Sequence, residues 1–359
     1  MRSGRILVVD DSPFVRRAVT RMLEPLEGVE IAGYAGTGGE AVEAVQRLSP
    51  DGVIMDINMP EMNGLQALAT IMRHHPTPVL LMSTLTRPGA EVTLQGLELG
   101  AVDFIDKGSA GTAMDIFDLG PMLREKVSAM LTASTPPGSS PAPAPAAVPP
   151  ARVAEPEPGP KPHGVRIVVI GASTGGPRAL TRVIPALPAD LRAAVVIAQH
   201  MPEGFTATLA ERLDRRSPLS VREAHDGDIL DPGTVHVAPG RREMRVARRG
   251  DRLAADIRHP ESRALNQPSA DVLLRSVAST VGDRALGVVL TGMGEDGAAG
   301  CRALREAGGT VIAESEETAV IYGMPRAARP FAHHVLPLDR IAETITRLCQ
   351  TPARPGRPG

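Results

Sequence analysis

Cysteine, net charge and long apolar runs are all scarce in this 359-residue sequence. Its two cysteines, Cys301 and Cys349, make no disulfide framework and lack the spacing of a metal site. That fits a reducing compartment. Lysine and arginine number 39 against 41 aspartates and glutamates, for a formal net charge of −2. Such a balance gives no general electrostatic reason to bind nucleic acid or an anionic membrane, and no basic helix-turn-helix pattern appears. No segment approaches the roughly 20 apolar residues of a membrane span. The opening "MRSGRILVVDDS" reaches Asp10 before any signal-length apolar run develops. The expectation is a cytoplasmic protein with no nucleic-acid partner and no membrane insertion.

Proline is abundant instead, and unevenly placed. Residues 132–163 are dominated by proline, alanine and serine. Such a segment buries too little side chain to offset its ordering entropy and reads as an extended, partly polyproline linker. A shorter "TPARPGRPG" reads as a frayed tail over 351–359. Two folded pieces remain, 1–131 and 164–350.

The first piece alternates strands ("RILVVDD", "VEIAGYA", "GVIMD", "PVLLMS", "VDFID") with helical stretches such as "GEAVEAVQRL" and "LQALATIMRHH". Five strands separated by helices predict a parallel sheet covered on both faces. Ligands of such sheets sit beyond the carboxyl ends of the strands. Asp10 and Asp11 end the first strand, Asp56 the third, Ser83 the fourth and Lys107 the fifth. Three crowded carboxylates call for a cation, and hard oxygen donors suit Mg²⁺. A lysine and a hydroxyl beside them suit a transferred phosphoryl group. The plainer reading of any one of these acids is a helix cap.

The pattern "VVDDS…MDINMPEMNG…LMST…DFIDK" resembles the receiver domain of two-component response regulators, flavodoxin-like in fold, across 1–131. The resemblance implies that Asp56 accepts a phosphoryl group from a histidine kinase. It also implies that Asp10, Asp11, Asp56 and the backbone carbonyl of Asn58 hold Mg²⁺, and that Ser83 and Lys107 contact the phosphoryl oxygens. One departure is Gly108, which follows Lys107 where the family usually has proline.

The second piece repeats the α/β logic. "RIVVIGA" and "AAVVIAQ" are apolar runs of the kind buried on both faces. Residues 221–258 read as hairpins, and "RALGVVLTG" and "GTVIAES" return to strand. The first strand runs into Gly171-Ala-Ser173-Thr-Gly175-Gly176-Pro. A P-loop would place lysine where Pro177 stands, and a dinucleotide fingerprint would place glycine at Ser173. The remaining pattern, G-x-S-x-G, is a sharp strand-to-helix turn that exposes a serine.

A serine hydroxyl needs a base to take its proton. His200 ends the next apolar run and reaches the same sheet edge. A third strand ends at Thr291 in "LTGMGEDG", whose Asp296 suits an orienting carboxylate and whose Met293 and Gly294 offer backbone N–H groups to an oxyanion. Plainer readings exist for each: Ser173 as a helix N-cap, His200 as a satisfied strand-end histidine, Asp296 as the cap of a helix near Gly297. Six arginines in 241–252 fit a solvated hairpin face.

The segments "GASTGGP", "QHMPEGFT", "VHVAPG", "LTGMGEDG" and "AESEETAVIYGMP" resemble the catalytic domain of CheB-type chemotaxis protein-glutamate methylesterases. The resemblance assigns nucleophile, base and orienting acid to Ser173, His200 and Asp296. An oxyanion contribution falls near Met293, and Thr174 belongs to the same motif. It implies methyl-ester hydrolysis on methylated chemoreceptors, a glutamine deamidase activity by the same acyl chemistry, and relief of receiver inhibition by phosphorylation. No cofactor is implied for the esterase. The expected fold class is α/β, with two doubly wound parallel-sheet domains, the second a larger serine esterase domain with a β-hairpin insertion. The rivals are a non-catalytic binding module, a small-ester hydrolase, and an esterase serving a pathway other than chemotaxis.

Overall fold

The computed structural model describes residues 4–83, 87–107, 115–132, 164–260 and 267–350. The expected linker from 133 on, the tail 351–359 and Gly108 lie outside them. The chain divides into two compact units, each containing one parallel sheet.

The first sheet is built from β1 (Gly4–Val9), β2 (Val29–Ala35), β3 (Gly52–Asp56), β4 (Val79–Ser83) and β5 (Asp103–Asp106), in the order β2-β1-β3-β4-β5. Helices α1 (Pro13–Leu23), α2 (Gly38–Leu48), α3 (Gly64–His74), α4 (Arg87–Leu99) and α5 (Gly120–Thr132) connect or follow the strands. Their starts are written locally. Ser12 accepts from the Val15 N–H and Pro13 follows it in the first turn of α1. Asn63 and Gln66 form a reciprocal capping box on α3. Strand order reverses between β1 and β3, which places the ends carrying Asp10 and Asp56 at the switch point where such sheets bind ligands. At Gly64 a β-carbon would strike the Asp56 carbonyl oxygen, so the loop between them closes only around glycine.

The second sheet has seven strands, ordered β14-β13-β12-β6-β7-β9-β8, and every neighbouring pair is parallel. They are β6 (Ile167–Ala172), β7 (Ala194–Gln199), β8 (Ser220–Glu223), β9 (Thr234–Val237), β12 (Ala285–Val289), β13 (Thr310–Glu314) and β14 (His334–Leu336). Every residue of β6, β7, β12 and β13 is buried. Their β-branched runs fit a pleated surface packed on both faces. The helices of this unit are α6 (Gly176–Val183), α7 (Phe205–Asp214), α8 (Ala270–Thr280), α9 (Ala298–Glu306), α10 (Met324–Ala328) and α11 (Leu338–Gln350).

One expectation changes here. Of the stretches read as hairpins, only β10 (Glu243–Arg249) and β11 (Arg252–Arg258) form one; they pair antiparallel in a separate two-stranded sheet. The strands β8 and β9 pair parallel with each other and extend the main sheet from β7. Four-residue strands carry too little periodicity to distinguish a hairpin from an added parallel edge.

His236, in β9, is fully buried, with Nε2 3.1 Å from the Thr234 hydroxyl. Burial first, then the charge of Arg222, holds its pKa down to about 4. The unfolded chain therefore takes up a proton, between its ordinary pH 6.5 and about 4, that the folded chain excludes. The stability involved is fully present above pH 6.5 and is lost as pH falls toward 4, by about 3 kcal/mol. A urea-midpoint series against pH is expected to lose this part of its slope in His236→Asn.

Candidate active site

In the second sheet the strand order reverses between β6 and β12. The turn after β6 carries Ser173. Its N–H donates to the Thr291 carbonyl at the end of β12 (3.1 Å), and its own carbonyl accepts from the Gly176 N–H (2.8 Å) and the Gln199 side-chain amide (2.9 Å). Gly175 takes φ +80°, and a β-carbon there would also press on Val320 at 2.8 Å. The N-cap of α6 is Gly175, with no side-chain cap bond, so Ser173 is not spent as a cap. Thr174, beside it, is buried, and its carbonyl accepts from the Thr291 hydroxyl at 2.9 Å.

His200 follows β7, and its N–H donates to the Ala172 carbonyl at 3.0 Å. Ser173 and His200 are thus the residues one step beyond the Ala172–Gln199 pair of neighbouring strands. The imidazole Nε2 lies 2.7 Å from Asp296 Oδ2, with the two side chains 9% and 12% exposed. Nε2–H donating to the carboxylate leaves Nδ1 as the basic nitrogen.

Asp296 does not cap the helix that follows it; the N-cap of α9 is Gly297, again without a side-chain bond. Its carboxylate instead accepts from Ser269 Oγ (2.9 Å) and from the backbone N–H groups of Ala270 (2.7 Å) and Asp271 (2.9 Å), at the start of α8. Burial alone would raise the Asp296 pKa, but the His200 hydrogen bond and charge, with the backbone donors, pull it below the ordinary value. The positive end of α8 favours the same charged form.

The loop after β12 passes close to the serine. A β-carbon on Gly292 would lie 2.8 Å from Ser173 Cβ and would strike Met324 Sδ. Met293, partly buried, and Gly294, exposed at φ +79°, follow directly. Gly292→Ala is therefore expected to displace the serine turn and lower turnover on the order of 10²-fold, read as methyl-ester hydrolysis by the folded variant.

Four contributors receive no role from the motifs, although Gln199, Thr291 and Glu314 stand inside them. Gln199 ties the Ser173 and His200 carbonyls together, at 2.9 and 3.2 Å. Thr291 bridges the serine turn to residue 321, and Ser269 bonds Asp296. Glu314, fully buried at the end of β13, accepts from the Thr291 N–H at 2.7 Å and from the Thr318 hydroxyl at 2.9 Å. The available signal was a polar residue ending a wholly apolar strand, as Gln199 and Glu314 both do.

In the first sheet, carboxylate oxygens of Asp10, Asp11 and Asp56 lie within 4.8 Å of one another; Asp10 and Asp56 are buried and Asp11 is exposed. This donor set fits a hard divalent cation. Ser83 is buried, and its oxygen accepts from the Thr93 hydroxyl at 2.7 Å. Lys107 follows the end of β5, and Asn58 stands exposed two residues past Asp56.

These are the features of an α/β protein of two units, each with a parallel sheet and polar residues gathered at the carboxyl ends of its strands. A family model for the response regulator receiver domain matches residues 6–115, and one for CheB methylesterase matches 168–345. A protein-glutamate methylesterase/protein-glutamine glutaminase of Oleidesulfovibrio alaskensis is 42% identical over 95% of this chain and 98% of the relative. One of Bacillus subtilis is 41% identical over 95% and 97%. The crystal structure of the Thermotoga maritima CheB methylesterase catalytic domain matches with a TM-score of 0.50 at 41% identity, covering 52% of this chain and 99% of that one. The chain belongs to the CheB methylesterase family.

Proposed function

We propose that this protein hydrolyses glutamate methyl esters on methylated chemoreceptors in chemotaxis adaptation, and deamidates glutamine by the same chemistry, under control of phosphorylation at Asp56. The observation that carries the reading is the His200–Asp296 pair at the strand ends flanking Ser173, with the basic imidazole nitrogen left open. In this mechanism Ser173 Oγ attacks the ester carbonyl while His200 Nδ1 takes its proton. Negative charge on the carbonyl oxygen falls beside the N–H groups of Met293 and Gly294 and the N-terminus of α6. The proton returns from His200 to the leaving oxygen and methanol departs. Water, deprotonated by the same nitrogen, then attacks the acyl-enzyme and restores the glutamate and the serine. With a glutamine side chain the leaving group is ammonia.

In the receiver, Asp56 is the acceptor for a phosphoryl group from a histidine kinase. Asp10, Asp11, Asp56 and the Asn58 carbonyl are the residues that would hold Mg²⁺, which when bound offsets their repulsion and that of the phosphoryl oxygens. Ser83 and Lys107 supply a hydroxyl and a positive charge to those oxygens. We place the receiver at 1–132, one residue longer than expected because α5 includes Thr132, the linker at 133–163, the esterase at 164–350 and a tail at 351–359, in a cytoplasmic protein. Among the described residues no helix is long and apolar enough to cross a membrane.

The test is methanol release from methylated chemoreceptor membranes. A small phosphodonor with Mg²⁺ is expected to raise the rate about 5- to 150-fold, the range of ordinary coupling energies. Asp56→Ala is expected to keep the basal rate and lose the stimulation. Equal stimulation in that variant would move the phosphorylation site elsewhere.

A further inference from the structure

Glu314 is an ionisable group buried without an opposite charge. Among the described residues no lysine, arginine or histidine forms an ion pair with it. Burial raises its pKa to about 6, against the lowering effect of its two hydrogen bonds. Such placement is costly where an apolar side chain would pack as well, and buried titratable groups of this kind concentrate at functional sites.

Its two oxygens have separate tasks. Oε2 accepts from the Thr291 backbone N–H at 2.7 Å, and Oε1 from Thr318 Oγ1 at 2.9 Å. Thr318 Oγ1 in turn accepts from the Leu338 N–H at 2.9 Å, which fixes the direction of its own hydrogen. Thr291, pinned at its nitrogen, uses its remaining polar atoms on the catalytic turn. Its carbonyl accepts from the Ser173 N–H (3.1 Å) and its hydroxyl donates to the Thr174 carbonyl (2.9 Å). That hydroxyl also accepts from the Ile321 N–H at 2.9 Å. The next residue is Gly292, whose carbonyl accepts from the Gly323 and Met324 N–H groups (3.1 and 2.8 Å) and where an added β-carbon would lie 2.8 Å from Ser173 Cβ.

We propose that Glu314 is a positioning residue for the esterase reaction: through Thr291 it sets the spacing between the Ser173 nucleophile and the backbone donors at Met293 and Gly294. The inference rests on the proposed esterase reading. It makes one carboxylate, three strands from His200 in the sheet, responsible for keeping nucleophile and oxyanion site in register. Its loss acts on the transition state, where the oxyanion forms, and leaves substrate binding nearly unchanged.

Full-length Glu314→Gln and Glu314→Leu are compared with the parent on methylated receptor membranes, alongside Thr318→Val and Ser173→Ala. Glutamine keeps an acceptor for the Thr291 N–H in the same volume, and leucine removes it. Glu314→Leu is expected to lower kcat on the order of 10²-fold with KM within about threefold. Its rate of serine labelling by a fluorophosphonate should fall in parallel. Glu314→Gln is expected to stay within about fivefold of the parent kcat, one acceptor bond being conserved. Thr318→Val frees one carboxylate oxygen without touching the charge, and should lower kcat about threefold to tenfold at unchanged KM; it decides the matter if the leucine variant does not fold. Folded Glu314→Leu with kcat within twofold of the parent would overturn the proposal, as would a Thr318→Val variant doing the same where leucine does not fold. A loss confined to KM would do so equally. If Ser173→Ala retains activity, the esterase reading itself fails, and the two failures are told apart.

Discussion

Ser173→Ala is expected to lower methanol release by about 10⁴- to 10⁶-fold, with or without phosphodonor. Alanine keeps the β-carbon that already rests against Gly292 and leaves the backbone bonds to Thr291 and Gly176 in place. The variant should therefore melt within a few degrees of the parent, and the loss is one of chemistry. Fluorophosphonate labelling of the second unit should disappear with it. A variant that releases methanol at the parent rate would assign the nucleophile to another residue.

Asp296→Asn is the second large effect, about 10⁴-fold in kcat. The substitution conserves shape but replaces one acceptor oxygen with an NH₂ group. Facing Nε2, that amide stabilises the imidazole tautomer with hydrogen on Nδ1, the nitrogen needed as the base. The fold should suffer far less. With Nδ2 in place of Oδ2 the Ala270 N–H loses its acceptor, while Oδ1 keeps the bonds from Ser269 and Asp271, so stability falls by about 1–3 kcal/mol. Activity and melting temperature measured on the same preparation separate the two roles. Loss of both in proportion would mean that Asp296 matters only as an anchor for the start of α8.

The proposed catalytic side chains are legible because each stands at or just beyond the end of a strongly apolar run. Ser173, His200 and the turn leading to Asp296 stand where "RIVVIGA", "AAVVIAQ" and "LGVVL" stop, and parallel strands deliver such residues to one edge. The acids at 10, 11 and 56 were legible for the same reason. What surrounds them was not. The bond from Glu314 to Thr291 spans 23 residues and that from Thr291 to Thr174 spans 117, and no local pattern encodes either. Which imidazole nitrogen meets Asp296 depends on side-chain direction, which periodicity does not carry. The parallel pairing of β8 and β9 is not legible locally, because β9 docks on β7, a partner outside their own segment, and β8 on β9.

The carboxylate that steadies His200 is also the one that receives the first amides of α8. Fraying of that helix and loosening of the imidazole proposed as the base are therefore coupled through one side chain. The Ala270 and Asp271 amides should exchange with solvent deuterium only as often as the enzyme leaves its competent state. Their protection factors would then measure, in the absence of any substrate, the fraction of molecules ready to react.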